Sequence, residues 1–192
     1  MNDKNVRLPH LRVTAINATD LSVTFDEPKW IGERWIAYIM LSFDTLLKGR
    51  FVSVDLKQRT ATFILNKKED ISHLQPGAEY EYLDGYWGER AELVLDRSRV
   101  WSLTVFKSLD AVEFIIEGTR IRGRWGQEPM ANAESVHRVE DGWDHEHCSI
   151  CWETIGPYEG EENTGYRNQS GEWVCVRCYQ SYVVPKKLDF IE

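Results

Sequence analysis

Apolar and polar residues alternate through residues 11–16 and again through 21–25, on either side of Asn17-Ala18-Thr19-Asp20. A period of two sends successive side chains to opposite faces, so the two runs predict a β-hairpin. Pro28 and Gly32 then interrupt the pattern. Residues 35–43 are almost continuously apolar, which predicts a strand buried on both faces, with a short helix as the alternative reading. Residues 51–56 and 60–65, joined at Lys57-Gln58-Arg59, form the clearest hairpin signal in the chain.

Residues 67–74 are charged and suit one or two helical turns, ended by Gln75-Pro76-Gly77. Residues 80–83, 91–95, 100–106 and 111–116 read as further strands, and 120–125 as one more before Gly126. Short strands separated by Gly, Asp and Asn turns predict a mainly β protein, its N-terminal part a β-sandwich or partly open barrel. Residues 127–140 lack hydrophobic periodicity and read as a connection, with a short helix near 131–137. The domains expected are 1–127, a linker at 128–140, and a small module at 141–192. Gly85-Tyr86-Trp87-Gly88 and Gly123-Arg124-Trp125-Gly126 share a pattern, too short and inexact to establish a repeat.

All four cysteines lie in that last module, as Cys148-Ser-Ile-Cys151 and Cys175-Val-Arg-Cys178. The first residues lack the apolar stretch of a secretory leader, and the longest apolar run is too short to span a membrane. The expectation is a soluble, cytoplasmic protein, and in the cytoplasm paired Cys-x-x-Cys motifs read as metal ligands rather than disulfides. Thiolate sulfur is soft, Zn²⁺ takes four such ligands tetrahedrally, and the two-residue spacing lets each pair converge on one ion. Cys148, Cys151, Cys175 and Cys178 are therefore the candidate ligands of one structural Zn²⁺. His145 and His147 precede the first pair, and either could replace a thiolate or support one. A Cys₄ set would close the coordination sphere and leave no position for an activated water.

The residues between the pairs shape the module. Asn168-Gln169-Ser170-Gly171 is a hairpin turn between Tyr166-Arg167 and Glu172-Trp173-Val174, and residues 179–184 suit a short helix before Pro185. Knuckle, hairpin, knuckle and helix is the order of a treble-clef zinc finger, and a zinc ribbon is the alternative. Trp143, Trp152 and Trp173 are expected to supply the module's small core.

The string Asp144-His-Glu-His-Cys-Ser-Ile-Cys-Trp152, then Gly165-Tyr166 and Glu172-Trp-Val-Cys-Val-Arg-Cys-Tyr179, resembles a recurrent zinc-finger element of small bacterial proteins of uncharacterised function. It covers about the last 50 residues. The resemblance implies a bacterial origin and one bound zinc, and it carries no agreed biochemical role.

Charge narrows the partner. The chain carries a net −8, and residues 140–192 hold 11 acidic against 4 basic residues. Such a surface repels phosphate backbones and suits a basic protein. Arg120, Arg122 and Arg124 alternate along one predicted strand and are the candidate nucleic-acid contact; a solvated strand face is preferred. His73 beside Glu69 and Asp70, and Asp84 and Glu89 around Trp87, are weak acid/base or ligand candidates that read better as polar turns and packing. No phosphate-binding Gly-rich loop and no Gly-x-Ser-x-Gly elbow occurs. The expected function is non-enzymatic: a zinc-stabilised protein-binding protein, in one version an immunity-type inhibitor masking a basic toxin domain. A zinc enzyme opened at His145 or His147, and a nucleic-acid-binding or regulatory zinc finger, are the alternatives.

Overall fold

The computed structural model describes residues 8–18, 20–28, 31–42, 45–66, 71–126, 133–160 and 162–191. The chain divides into two compact units, residues 1–96 with 185–192, and residues 97–184.

In the first unit, β1 (His10–Asn17) and β2 (Asp20–Phe25) form the expected hairpin, with Leu11 opposite Phe25 and Asn17 opposite Asp20. They are followed by β3 (Ile36–Ser42), β4 (Thr45–Asp55), β5 (Thr60–Leu65) and β6 (Glu79–Asp84). The six strands close into a barrel in the order β1-β2-β5-β4-β3-β6. The strand that closes it is β6, paired to both β1 and β3. The fold is thus mainly β as expected, with a fully closed barrel in place of a partly open one.

The alternation explains the core. Leu11, Val13, Leu21, Val23, Phe63 and Leu65 all point inward and are buried. Phe51 packs edge-on against Phe63 at 5.2 Å and against Tyr82 at 6.2 Å. A small barrel filled this way has a packed core. Strand β4 begins at Thr45, well before the predicted hairpin arm at residue 51. Its first half contains Gly49, where a Cβ would meet Phe63 Cε1 at 2.5 Å. The glycine that weakens the strand pattern is what admits the Phe63 ring.

Residues 91–95 are not a strand. They end α1 (Gly85–Leu95), whose first turn is capped by Asp84 Oδ1 accepting the Trp87 N–H at 2.8 Å. The helix lies on the outer face of β3 and β6. Gly88 lets it approach: a Cβ there would stand 1.9 Å from Tyr38 Cδ2. Beneath it Tyr38, Leu83 and Ala91 form a second buried cluster with Ile191, joined by Leu188 and Phe190. Residues 37–39 are therefore covered on both faces, as the apolar run predicted. Of the charged segment at 67–74, residues 67–70 lie outside the described residues.

In the second unit, β8 (Leu109–Ile116) is the centre of a three-stranded sheet between β9 (Thr119–Arg124) and β10 (Ser135–Trp143). Residues 135–140, expected in a linker with a short helix, are strand instead. Val136 pairs with Phe114 and Val139 with Ala111. Residues 127–132 lie outside the described residues. A second three-stranded sheet joins β7 (Trp101–Val105), β13 (Thr164–Asn168) and β14 (Trp173–Cys175) in the order β14-β13-β7. Between these come the two-residue strands β11 (Glu146–His147) and β12 (Thr154–Ile155). After β14 the chain turns into α2 (Val176–Cys178) and continues as a π-helical turn, Tyr179–Val183. Among the described residues no helix is long and apolar enough to cross a membrane.

Candidate metal centre

Two turns of opposite kind bring the cysteines together. The first is the loop of the β11–β12 hairpin. Cys148 donates its N–H to Glu153 O at 2.8 Å, and Trp152 donates back to Cys148 O at 2.9 Å. Trp152 takes a φ of +65° to close this knuckle, a conformation uncommon for a bulky residue. The second turn is the step from β14 into α2. Cys175 is extended, and its Sγ accepts the Cys178 N–H at 3.4 Å in the manner of a helix N-cap. Asn168 closes the hairpin between β13 and β14: its Oδ1 accepts the Ser170 and Glu172 N–H groups, each at 3.0 Å. The turn predicted at residues 168–171 is the one observed.

The four ligand atoms all lie within 4.8 Å of one another. Sulfurs held at roughly 2.3 Å from one zinc ion span tetrahedral edges of about 3.8 Å, and Cys151 Sγ lies 3.8 Å from Cys175 Sγ. All four thiols are free of disulfides; Cys148, Cys175 and Cys178 are buried and Cys151 is exposed. The set could hold a metal ion such as zinc, as the spacing predicted. The order knuckle, hairpin, knuckle and helical turn matches the treble-clef expectation, with the helix reduced to α2 and the π-turn.

Their electrostatics point the same way. Hydrogen bonds donated by Cys175 and Cys178 push the Cys148 thiol down. Sharing that proton with Cys148 is the main cause pushing the Cys175 and Cys178 thiols up. Four sulfurs packed this closely resist ionising together in water alone. A cation at their centre stabilises all four thiolates at once.

One neighbour escaped the sequence reading. Arg177, inside the second Cys-x-x-Cys, brings Nη2 to 4.0 Å from Cys151 Sγ and to 2.7 Å from Glu153 Oε2. It sets a positive charge beside the one exposed sulfur. The only sequence signal was its position between two candidate ligands, Cys175 and Cys178.

The two histidines stand outside the sulfur cluster. His145 Nδ1 lies 2.7 Å from Asp144 Oδ1, and His147 Nδ1 lies 3.2 Å from Trp152 O. Of the three tryptophans expected to form the module's core, Trp173 is buried and packs on Phe106 at 5.9 Å. Trp143 is half-buried, donates Nε1–H to Glu146 at 2.8 Å and carries the Arg124 guanidinium over its ring. Trp152 is 59% exposed and is no core residue. The remaining core comes from Ile150, Ile155 and Val174, and Tyr179 stacks on Tyr166 at 3.5 Å.

The other candidates dissolve into local roles. Arg120 and Arg122 both reach Glu113, at 3.4 and 3.2 Å, and Arg124 pairs with Glu146, so the basic stripe is matched by carboxylates. Asp84 caps α1, and Trp87 packs near Tyr86 and Phe190. The partners proposed for His73, Glu69 and Asp70, lie outside the described residues. A hydroxyl-lined depression of about 220 Å³ on the barrel wall, bordered by Thr14, Ser22, Ser53 and Thr62, has Asp55 as its one carboxylate. That carboxylate already accepts the Lys57 and Gln58 N–H groups at 2.9 Å.

No protein-family model, no curated protein and no solved structure matches this chain.

Proposed function

We propose that this chain is a non-enzymatic, zinc-stabilised protein that binds another protein, in its most specific form an immunity-type inhibitor whose acidic surface masks a basic toxin domain. The observation that carries the reading is the set of four sulfurs, with neither nearby histidine in the cluster. Four thiolates complete a tetrahedral sphere, so Zn²⁺ bound by Cys148, Cys151, Cys175 and Cys178 would cross-link two turns and activate no water. Its binding free energy is then folding free energy for residues 97–184. Charge supports a basic partner: residues 140–162 contain eight Asp and Glu and no Lys or Arg.

The test is purification of the zinc-loaded full chain as bait from its native host, with salt-dependent recovery of a basic protein as the expected result. Recovery of the chain alone at every ionic strength would overturn the protein-binding reading. One zinc per chain in the same sample would leave the metal assignment standing.

A further inference from the structure

The surface beside the first knuckle exposes two large aromatic side chains. Trp152 is 59% and Tyr158 47% exposed. A series of contacts links them. The Tyr158 hydroxyl donates to Asp144 Oδ2, and His145 Nδ1 lies 2.7 Å from Asp144 Oδ1. The His145 ring meets the His147 ring edge-on at 4.9 Å, and the His147 ring lies 5.6 Å from that of Trp152. Four rings and one carboxylate thus form a continuous outward face. Tyr158, His145 and His147 are each anchored by a polar contact, so these three rings have little side-chain freedom left to lose on binding.

We propose that this face binds an arginine-bearing segment of a protein partner. The inference rests on the protein-binding reading above and names the surface and the chemistry it selects. Three observations converge on a cation. The exposed faces of Trp152 and Tyr158 attract positive charge through the ring quadrupole. Asp144 is held ionised chiefly by the Tyr158 and His145 hydrogen bonds, and a carboxylate's two oxygens offer about four acceptor sites in all. The surrounding stretch, residues 140–162, has eight carboxylates and no Lys or Arg of its own; Arg124 and Arg177 from elsewhere in the chain pair with two of them, Glu146 and Glu153. Arginine fits better than lysine, because a planar guanidinium can stack on Trp152 while forking towards a carboxylate.

The assignment explains features that the metal site leaves over. At the knuckle, Trp152 combines a φ of +65° with a side chain left exposed to solvent. His145 and His147 then act as ring surface and as support for Asp144, rather than as ligands.

The experiment uses the zinc-loaded full chain and three octapeptides, alternating Arg-Ser, Lys-Ser and Glu-Ser, titrated by calorimetry at low salt. The expected order is Arg above Lys, with the Glu peptide silent. Trp152→Gly suits the left-handed backbone and removes the ring; Asp144→Asn removes the charge and keeps the shape. Each should weaken the Arg peptide by about threefold to tenfold, with zinc content unchanged. Trp125→Ala, an exposed tryptophan elsewhere in the unit, should leave the affinity as it is. No binding of the Arg peptide, equal binding of the Arg and Glu peptides, or wild-type affinity in both variants would overturn the proposal. The two readings separate in host purification. A partner recovered equally with wild type and Trp152→Gly overturns this face and leaves protein binding intact, whereas loss of that partner in the variant alone supports it.

Discussion

The Ser149 amide donates to the Trp173 carbonyl at 2.8 Å, so the first knuckle is bonded through backbone to the strand that delivers the second. Trp173 is two residues before Cys175, and Ser149 directly follows Cys148. The two halves of the sulfur cluster are positioned by main chain as well as by any ion they share. That link is long-range in sequence and is invisible to motif reading.

Losing one sulfur should nonetheless be severe. Cys175→Ser removes both a candidate ligand and the acceptor that caps α2. Its loss of metal affinity should exceed the roughly 10–100-fold that a merely supporting residue costs. Limited proteolysis should cut residues 97–184 in the variant, and in wild type after strong chelation, while a fragment containing the barrel persists. Unchanged protease resistance after chelation would show that the metal does not hold this unit together.

The contact between α1 and the barrel is tight enough to test with one methyl group. Gly88→Ala would drive a Cβ into the buried Tyr38 ring. Overpacking of this kind costs about 1–3 kcal/mol, read as a lowered thermal midpoint for the barrel unit. A neutral result would mean that the helix stands farther from β3 than described.

Asp84 offers a milder probe of the same helix. Asp84→Ala removes the acceptor for the Trp87 N–H and should cost about 1 kcal/mol. Asp84→Asn should recover most of that loss in a denaturant titration, because an amide oxygen still accepts the bond.

These two residues show where sequence reading stops. The hairpins at β1–β2 and β4–β5 were legible because alternation and turn residues agree there. Helix α1 was not: Gly85 and Gly88 dilute its periodicity, and Ala91 to Leu95 is equally a short buried strand by pattern. What decides it is the Asp84 cap and the space Gly88 leaves for Tyr38, one local and one tertiary. Strand β10 was missed for a related reason. Its residues are mostly polar and exposed, and its order comes from pairing with β8, 20 or more residues away for every partner. The sulfur cluster was legible in full, because two-residue spacing is itself the geometry of a knuckle. The exposure of Trp152 was not, since a tryptophan beside a ligand reads as core until the φ of the turn is known.

The β8–β10 pairing carries an acid signature. Arg138 donates to Asp110 Oδ2, by Nε at 2.8 Å and also by Nη2, and the Asp141 N–H donates to Oδ1 at 3.2 Å. The Arg138 hydrogen bond is the main cause holding the Asp110 carboxyl below its ordinary value, followed by the Asp141 amide. A depressed carboxyl adds stability that is present above its unfolded pKa and is lost as pH falls through the folded one. The 97–184 unit should therefore weaken in the acid range below the usual carboxylate pKa. Asp110→Asn should flatten that part of the stability–pH curve, measured by denaturation at fixed metal content. An identical acid limb in the variant would remove Asp110 from the account.

The central claim is that four thiolates and nothing else bind one zinc ion. X-ray absorption at the zinc edge of the full chain, purified with its metal, tests it most directly. The account predicts a single shell of four sulfurs at about 2.3 Å, unchanged in a His145→Ala, His147→Ala double variant. A shell of three sulfurs with one nitrogen or oxygen, or a chain that takes up no zinc, would contradict it.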